Sequence, residues 1–150
     1  VSSPASSFEC TWQPSRGLLA LYLLGWMVAL AAVLCCGAPL VLAAVLLLCC
    51  LLHAGWCLPG AILLRGPRAW RGLRHDGQGW RLWNAHGGWQ GVTLCADTLV
   101  SPALVVLRFQ RPGRPFAESL CLPADAMLAD DHRRLRVLLK FSRHRWAVAE

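Results

Sequence analysis

The sequence predicts a membrane α-helical hairpin followed by a small α+β domain, an antiparallel β meander of about five strands with a C-terminal helix. Three observations predict it. From Gly17 to Leu64, forty-eight consecutive positions carry no Lys, Arg, Asp or Glu. Charge is divided unevenly: residues 1–64 hold one base and one acid, whereas 65–150 hold fourteen bases and seven acids. Beyond Leu64, short runs of Val, Leu and Trp alternate with turns marked by Gly and Pro, the punctuation of short strands. The chain therefore divides into an N-terminal segment 1–16, a hairpin 17–64 with its turn near 37–39, and a domain 65–150.

Residues 1–9 are Ser-rich, contain Pro4 and are expected to be disordered. Trp12 and Arg16 then suit a membrane interface, an amphipathic ring followed by a cation that reaches headgroups. Gly17 to Cys36 is twenty residues, enough for one crossing of a hydrocarbon layer about 30 Å thick. Its apolar core is too long, and its basic flank too sparse, for a cleaved signal peptide. Gly37-Ala38-Pro39 forms the turn. The return helix runs to Cys57, where Pro59 kinks or ends it, and Ala61 to Leu64 are expected along the membrane surface. His53 is the one ionisable imidazole in the charge-free run. A neutral ring bonded to a carbonyl or headgroup is its simplest state. Arg16 flanks one end of the hairpin and Arg65, Arg68, Arg71 and Arg74 the other, while the turn has none. Both termini are therefore expected in the cytoplasm.

In the domain, Trp70 to His75, Trp80 to Asn84, Trp89 to Cys95, Leu99 to Gln110 and Phe116 to Leu122 read as strands. Asp76-Gly77 and Arg111-Pro112-Gly113-Arg114 read as turns. Within the second strand Trp80 and Leu82 share one face, Arg81 and Trp83 the other. Asp125 reads as the N-cap of a helix running to about Phe141, with Met127, Leu128, Leu135, Leu138 and Leu139 as its apolar stripe. Arg143, His144 and Arg145 form a basic tail.

No G-x-S-x-G, Walker loop or G-x-G-x-x-G occurs, so no catalytic residue is assigned and no enzyme is predicted. Asp130 and Asp131 are adjacent and diverge on a helix, which makes no acid/base dyad. His and Cys residues lack metal-ligand spacing, and neither a metal nor a cofactor is predicted. Five of the eight cysteines lie in the apolar run, where a thiol behaves as a small hydrophobe, so structural disulfides are not expected. Arg65, Arg68, Arg71 and Arg74, with Arg16, read as a collar for anionic membrane lipids, each cation contributing about 1 kcal/mol near such a surface. Nucleic acid is the weaker reading, because a tethered basic domain already faces an anionic partner. Trp83, Arg133, Arg136 and Lys140 are the candidate contacts for a protein partner.

The arrangement resembles the YgfX/CptA family of bacterial inner-membrane proteins. The resemblance rests on Ser119 to Met127 (S-L-C-L-P-A-D-A-M) and Asp131 to Leu139 (D-H-R-R-L-R-V-L-L). Trp12 to Arg16 (W-Q-P-S-R) and Gly79 to Trp83 (G-W-R-L-W) support it. The resemblance implies a membrane-bound toxin of a toxin–antitoxin pair, acting through protein contacts on the cytoskeletal proteins FtsZ and MreB, hence on cell division and shape. It also implies a small soluble partner resembling SdhE, also called CptB, which assists flavin attachment. An accessory or assembly factor for a respiratory membrane complex is the alternative it leaves open. The family supplies no active-site residues.

Overall fold

The computed structural model describes residues 7–146, with side chains described to residue 142. The expected disorder of 1–6 lies outside those bounds, as do the side chains of the basic tail Arg143, His144 and Arg145, whose backbone continues the last helix. Two long apolar helices come first: α1, Arg16–Cys35, and α2, Leu40–Cys57. Twenty residues of α1 rise about 30 Å. α2 runs through a π-helical turn, Leu58–Ile62, to make a 23-residue apolar helix. Gly37, at φ 63°, supplies the left-handed turn between them. Neither helix buries any residue; Leu21, Leu24, Leu40, Leu52 and Trp56 all stand open. Both are long and apolar enough to cross a membrane.

The helices are also clasped to each other. The Tyr22 hydroxyl lies 3.0 Å from His53 Nδ1, and His53 Nε2 lies 3.4 Å from Cys57 Sγ. His53 thus meets α1 through Tyr22 and its own helix through Cys57. Interhelical bonds of this kind offset the cost of polar groups away from water.

Seven strands form one sheet in the order β1-β2-β3-β4-β6-β5, with β7 on the other edge of β6. They are β1 Phe8–Thr11, β2 Gly72–Asp76, β3 Gly79–Asn84, β4 Gly88–Leu94, β5 Leu99–Val100, β6 Leu104–Gln110 and β7 Glu118–Pro123. All pairings are antiparallel. The meander is thus longer than five strands, for two reasons. The run Leu99 to Gln110 folds back on itself at Ser101-Pro102-Ala103 to give β5 and β6. And β1, at the end of the segment expected to be disordered, pairs with β2, so that Phe8 faces His75 and Thr11 faces Gly72. The strand before the hairpin is hydrogen-bonded to the strand after it. Both ends of the hairpin consequently return to one side.

α3, Ala129–Trp146, covers the inner face of the sheet. A single core joins Leu73, Leu82, Leu107, Phe109 and Leu122 of the strands to Leu135 and Leu139 of the helix, all at 2% exposure or less. The apolar stripe differs from the expected one at its start. Leu128 is 74% exposed, whereas His132 is buried. The helix begins at Ala129, after a 3₁₀ turn over Ala124–Ala126. Asp125 is thereby released from capping α3.

Candidate functional site

The domain has two polar regions of opposite character. The first is the joint with the helices. Ser15 caps α1, its hydroxyl accepting from Leu18 N–H at 3.0 Å. That hydroxyl in turn donates to Asp125 at 2.6 Å, and Gly17 N–H donates to the second Asp125 oxygen at 2.9 Å. These bonds hold the Asp125 carboxyl below the usual carboxylate range, the one to Ser15 contributing most. A Cβ on Gly17 would come within 3.1 Å of the carboxylate, a tight contact that glycine avoids. Asp125, expected to cap the last helix, instead completes the cap of the first, 110 residues away.

The same joint is closed by Trp12. Its indole N–H donates to Trp70 O at 2.9 Å, and the ring is buried. Gln13 N–H donates to Ala126 O at 2.8 Å. On the other side, Ile62 and Leu64 are each 6% exposed. Leu64 packs into the domain core, so the end of this stretch does not lie on the membrane surface. Leu64 sits at φ 50°, a left-handed conformation costing an L-residue about 1–2 kcal/mol. The Arg71 guanidinium donates to its carbonyl and its side chain is in the core, which together hold the strained exit. Arg71 is accordingly a structural clamp.

The remaining collar arginines diverge. Arg16, Arg65 and Arg68 are exposed. Arg74 lies on the outer sheet face, bonded to Glu9 at 2.6 Å and stacked 4.4 Å above the Trp89 ring. The three-residue spacing does not survive as one surface, because 65–71 is not helical and Arg74 is on a strand.

The second region runs along α3. Arg133, Arg136 and Lys140 line a cleft of about 350 Å³ with Val100, Ser101, Pro102 and Val137. Positions i, i+3 and i+7 fall on one helical face, and the β5–β6 turn forms the opposite wall. Among the described residues none of the three cations has a carboxylate partner, whereas neighbouring Arg134 pairs with Asp130 at 3.1 Å. Arg136 Nε is enclosed and has no acceptor. Arg133 and Val137 also border a depression of about 470 Å³ on the other flank of α3, floored by Phe8 and Leu138. An exposed basic and apolar ridge results.

Trp83, the fourth candidate contact, is not there. It lies on the outer sheet face, half-buried, opposite Trp89 across the β3–β4 pair and beside Gly72. Leu82 and Asn84 on either side of it point into the core. His132, one of the imidazoles without metal-ligand spacing in the sequence, is buried three positions before Leu135 on the inward stripe. Burial holds its pKa below the ordinary value, and the nearby Arg136 charge adds to the effect. Among the described residues no three His, Cys, Asp or Glu side chains converge as a metal site.

Over residues 6–143 the sequence matches the CptA toxin family, described as the membrane-bound toxin component of a toxin–antitoxin system. The chain belongs to this family. No curated protein matches it, and no solved structure does. CptA membership makes this a membrane protein of a toxin–antitoxin pair, with proteins as its partners in general. The family match also spans both halves of the joint, Trp12 to Arg16 and Pro123 to Met127. These are the segments that Asp125, Ser15 and Gly17 bind together.

Proposed function

We propose that this chain is a non-enzymatic toxin that works by protein contact, tethered by its hairpin and binding through the α3 cleft. The observation that carries the reading is the set of three cations, Arg133, Arg136 and Lys140, gathered in one cleft without carboxylate partners among the described residues. Unpaired charge of one sign, beside exposed apolar surface, favours an acidic protein surface and steers its approach. By resemblance the toxin targets are FtsZ and MreB, and the antitoxin is a small soluble protein similar to SdhE. The membrane is the inner membrane, with both termini in the cytoplasm. The β1–β2 pairing supports a common side for the two ends, and Arg16, Arg65 and Arg68 support the cytoplasmic one.

The test uses purified full-length protein in nanodiscs with each of the three candidate partners. Binding is expected for at least one, weakening as salt is raised through about 0.1–0.5 M. No binding to any of them would overturn the reading. A reporter fused after the last residue should be active in the cytoplasm. Activity only on the far side would reverse the orientation.

A further inference from the structure

The joint leaves one cleft open where the domain meets α1, and its charges are not spent on each other. It encloses about 680 Å³, within the range of small-ligand sites. Thr11, Gln13, Arg16, Asp125, Leu128 and Asp131 are among its lining residues. The Asp125 carboxylate is already engaged by Ser15 and Gly17 and acts as a wall. That leaves one cation, Arg16, and one carboxylate, Asp131. Both border the cleft, yet they form no ion pair with each other or with any described residue. Arg16 is the first residue of α1, hence at the depth of the lipid headgroups. Leu128, 74% exposed, stands in the same wall and offers an apolar contact there.

We infer that this cleft binds the headgroup of a zwitterionic aminophospholipid, with phosphate on Arg16, primary ammonium on Asp131 and Leu128 against the start of the acyl chains. Two opposite charges that line one cleft without touching match a ligand that carries both charges itself. A primary ammonium donates charge-assisted hydrogen bonds to a carboxylate, whereas a trimethylated one has no N–H to donate. The site therefore distinguishes phosphatidylethanolamine from phosphatidylcholine. It also distinguishes it from phosphatidylglycerol, whose net negative charge Asp131 repels. The inference requires the helices to lie in a bilayer and is independent of any protein partner.

Native mass spectrometry of the full chain, released from micelles doped equally with the three lipids, tests it. The wild type should retain phosphatidylethanolamine about tenfold over phosphatidylcholine, the scale of one charged hydrogen bond. Asp131→Asn should erase that preference, and Arg16→Gln should lower retention of all three lipids. Equal retention of the two zwitterionic lipids by the wild type would overturn the site without recourse to any variant. So would strongest retention of phosphatidylglycerol, or an unchanged preference in Asp131→Asn.

Discussion

The joint and the α3 cleft lie at opposite poles of polar satisfaction. At the joint each donor named finds an acceptor: Ser15 and Gly17 on Asp125, Trp12 on Trp70, Gln13 on Ala126, Arg71 on Leu64. In the cleft, Arg133, Arg136 and Lys140 find no carboxylate among the described residues. The first arrangement fixes the domain to its helices. The second holds charge in reserve. The difference teaches that the most distinctive sequence segments need not be where partners bind. Trp12 to Arg16 and Pro123 to Met127 are largely occupied with each other, and the unpaired cations proposed for a protein partner sit on a plainer basic helix.

The comparison breaks most visibly at Trp12. Trp12→Ala removes a buried ring and leaves the Trp70 carbonyl unpaired. It should destabilise the domain by about 3–5 kcal/mol, read as a lowered unfolding midpoint in nanodiscs. A loss below about 1 kcal/mol would mean that the joint is not part of the folded core.

Asp125→Ala comes next, with an expected cost of about 1 kcal/mol, the usual value of a lost N-cap. Its pH dependence is specific. The folded pKa is lowered, so the contribution is complete above the unfolded value of about 3.9 and is lost as pH falls through the folded one. The variant should show a shallower acid slope below pH about 4 than the wild type. An identical slope would remove Asp125 from the joint.

His132 offers a smaller effect in a different window. Its folded pKa is also lowered, so the unfolded chain takes up protons first. Stability should begin to fall as pH drops below about 6.5, and His132→Gln should flatten that decline between pH 7 and 5. Unfolding curves across this interval measure it directly.

The smallest effect on stability belongs to the cleft. Exchanging Arg133, Arg136 and Lys140 together for Gln should leave stability within about 0.5 kcal/mol, because Arg133 and Lys140 are exposed and the half-buried Arg136 has no paired group to lose. A large loss would make these cations structural, and the contrast between the two regions would disappear.

Much of the architecture could be read from the chain because it rests on local patterns. The charge gap from Gly17 to Leu64 gave the two helices, and the alternation of Trp80 and Leu82 against Arg81 and Trp83 gave the faces of β3. What could not be read depends on partners distant in sequence. Phe8–Thr11 alternates apolar Phe8 and Cys10 with polar Glu9 and Thr11, but four residues are too short a run to mark a strand, and it becomes one only because β2 returns beside it after the hairpin. Asp125 has the position of a local cap, but its carboxylate serves a helix start far upstream. The sequence signal for this cap is Ser15 itself, an N-cap residue type directly before Arg16, where α1 begins. In the cleft, helical spacing aligned Arg133, Arg136 and Lys140, but no periodicity told of the β5–β6 turn that makes their opposite wall. Trp83 does not share that surface: strand register places it half-buried opposite Trp89.

The account turns on whether the unpaired cations of α3 hold the partner. The direct measurement is the affinity of full-length protein in nanodiscs for a partner identified among the SdhE-like protein, FtsZ and MreB, compared between wild type and the Arg133→Gln, Arg136→Gln, Lys140→Gln variant. At about 0.2–1 kcal/mol for each exposed charge pair, the variant should bind between roughly threefold and a hundredfold more weakly, with a flatter salt dependence and unchanged unfolding. Equal affinity and an equal salt slope in a folded variant would contradict the account and move the partner site elsewhere on the domain.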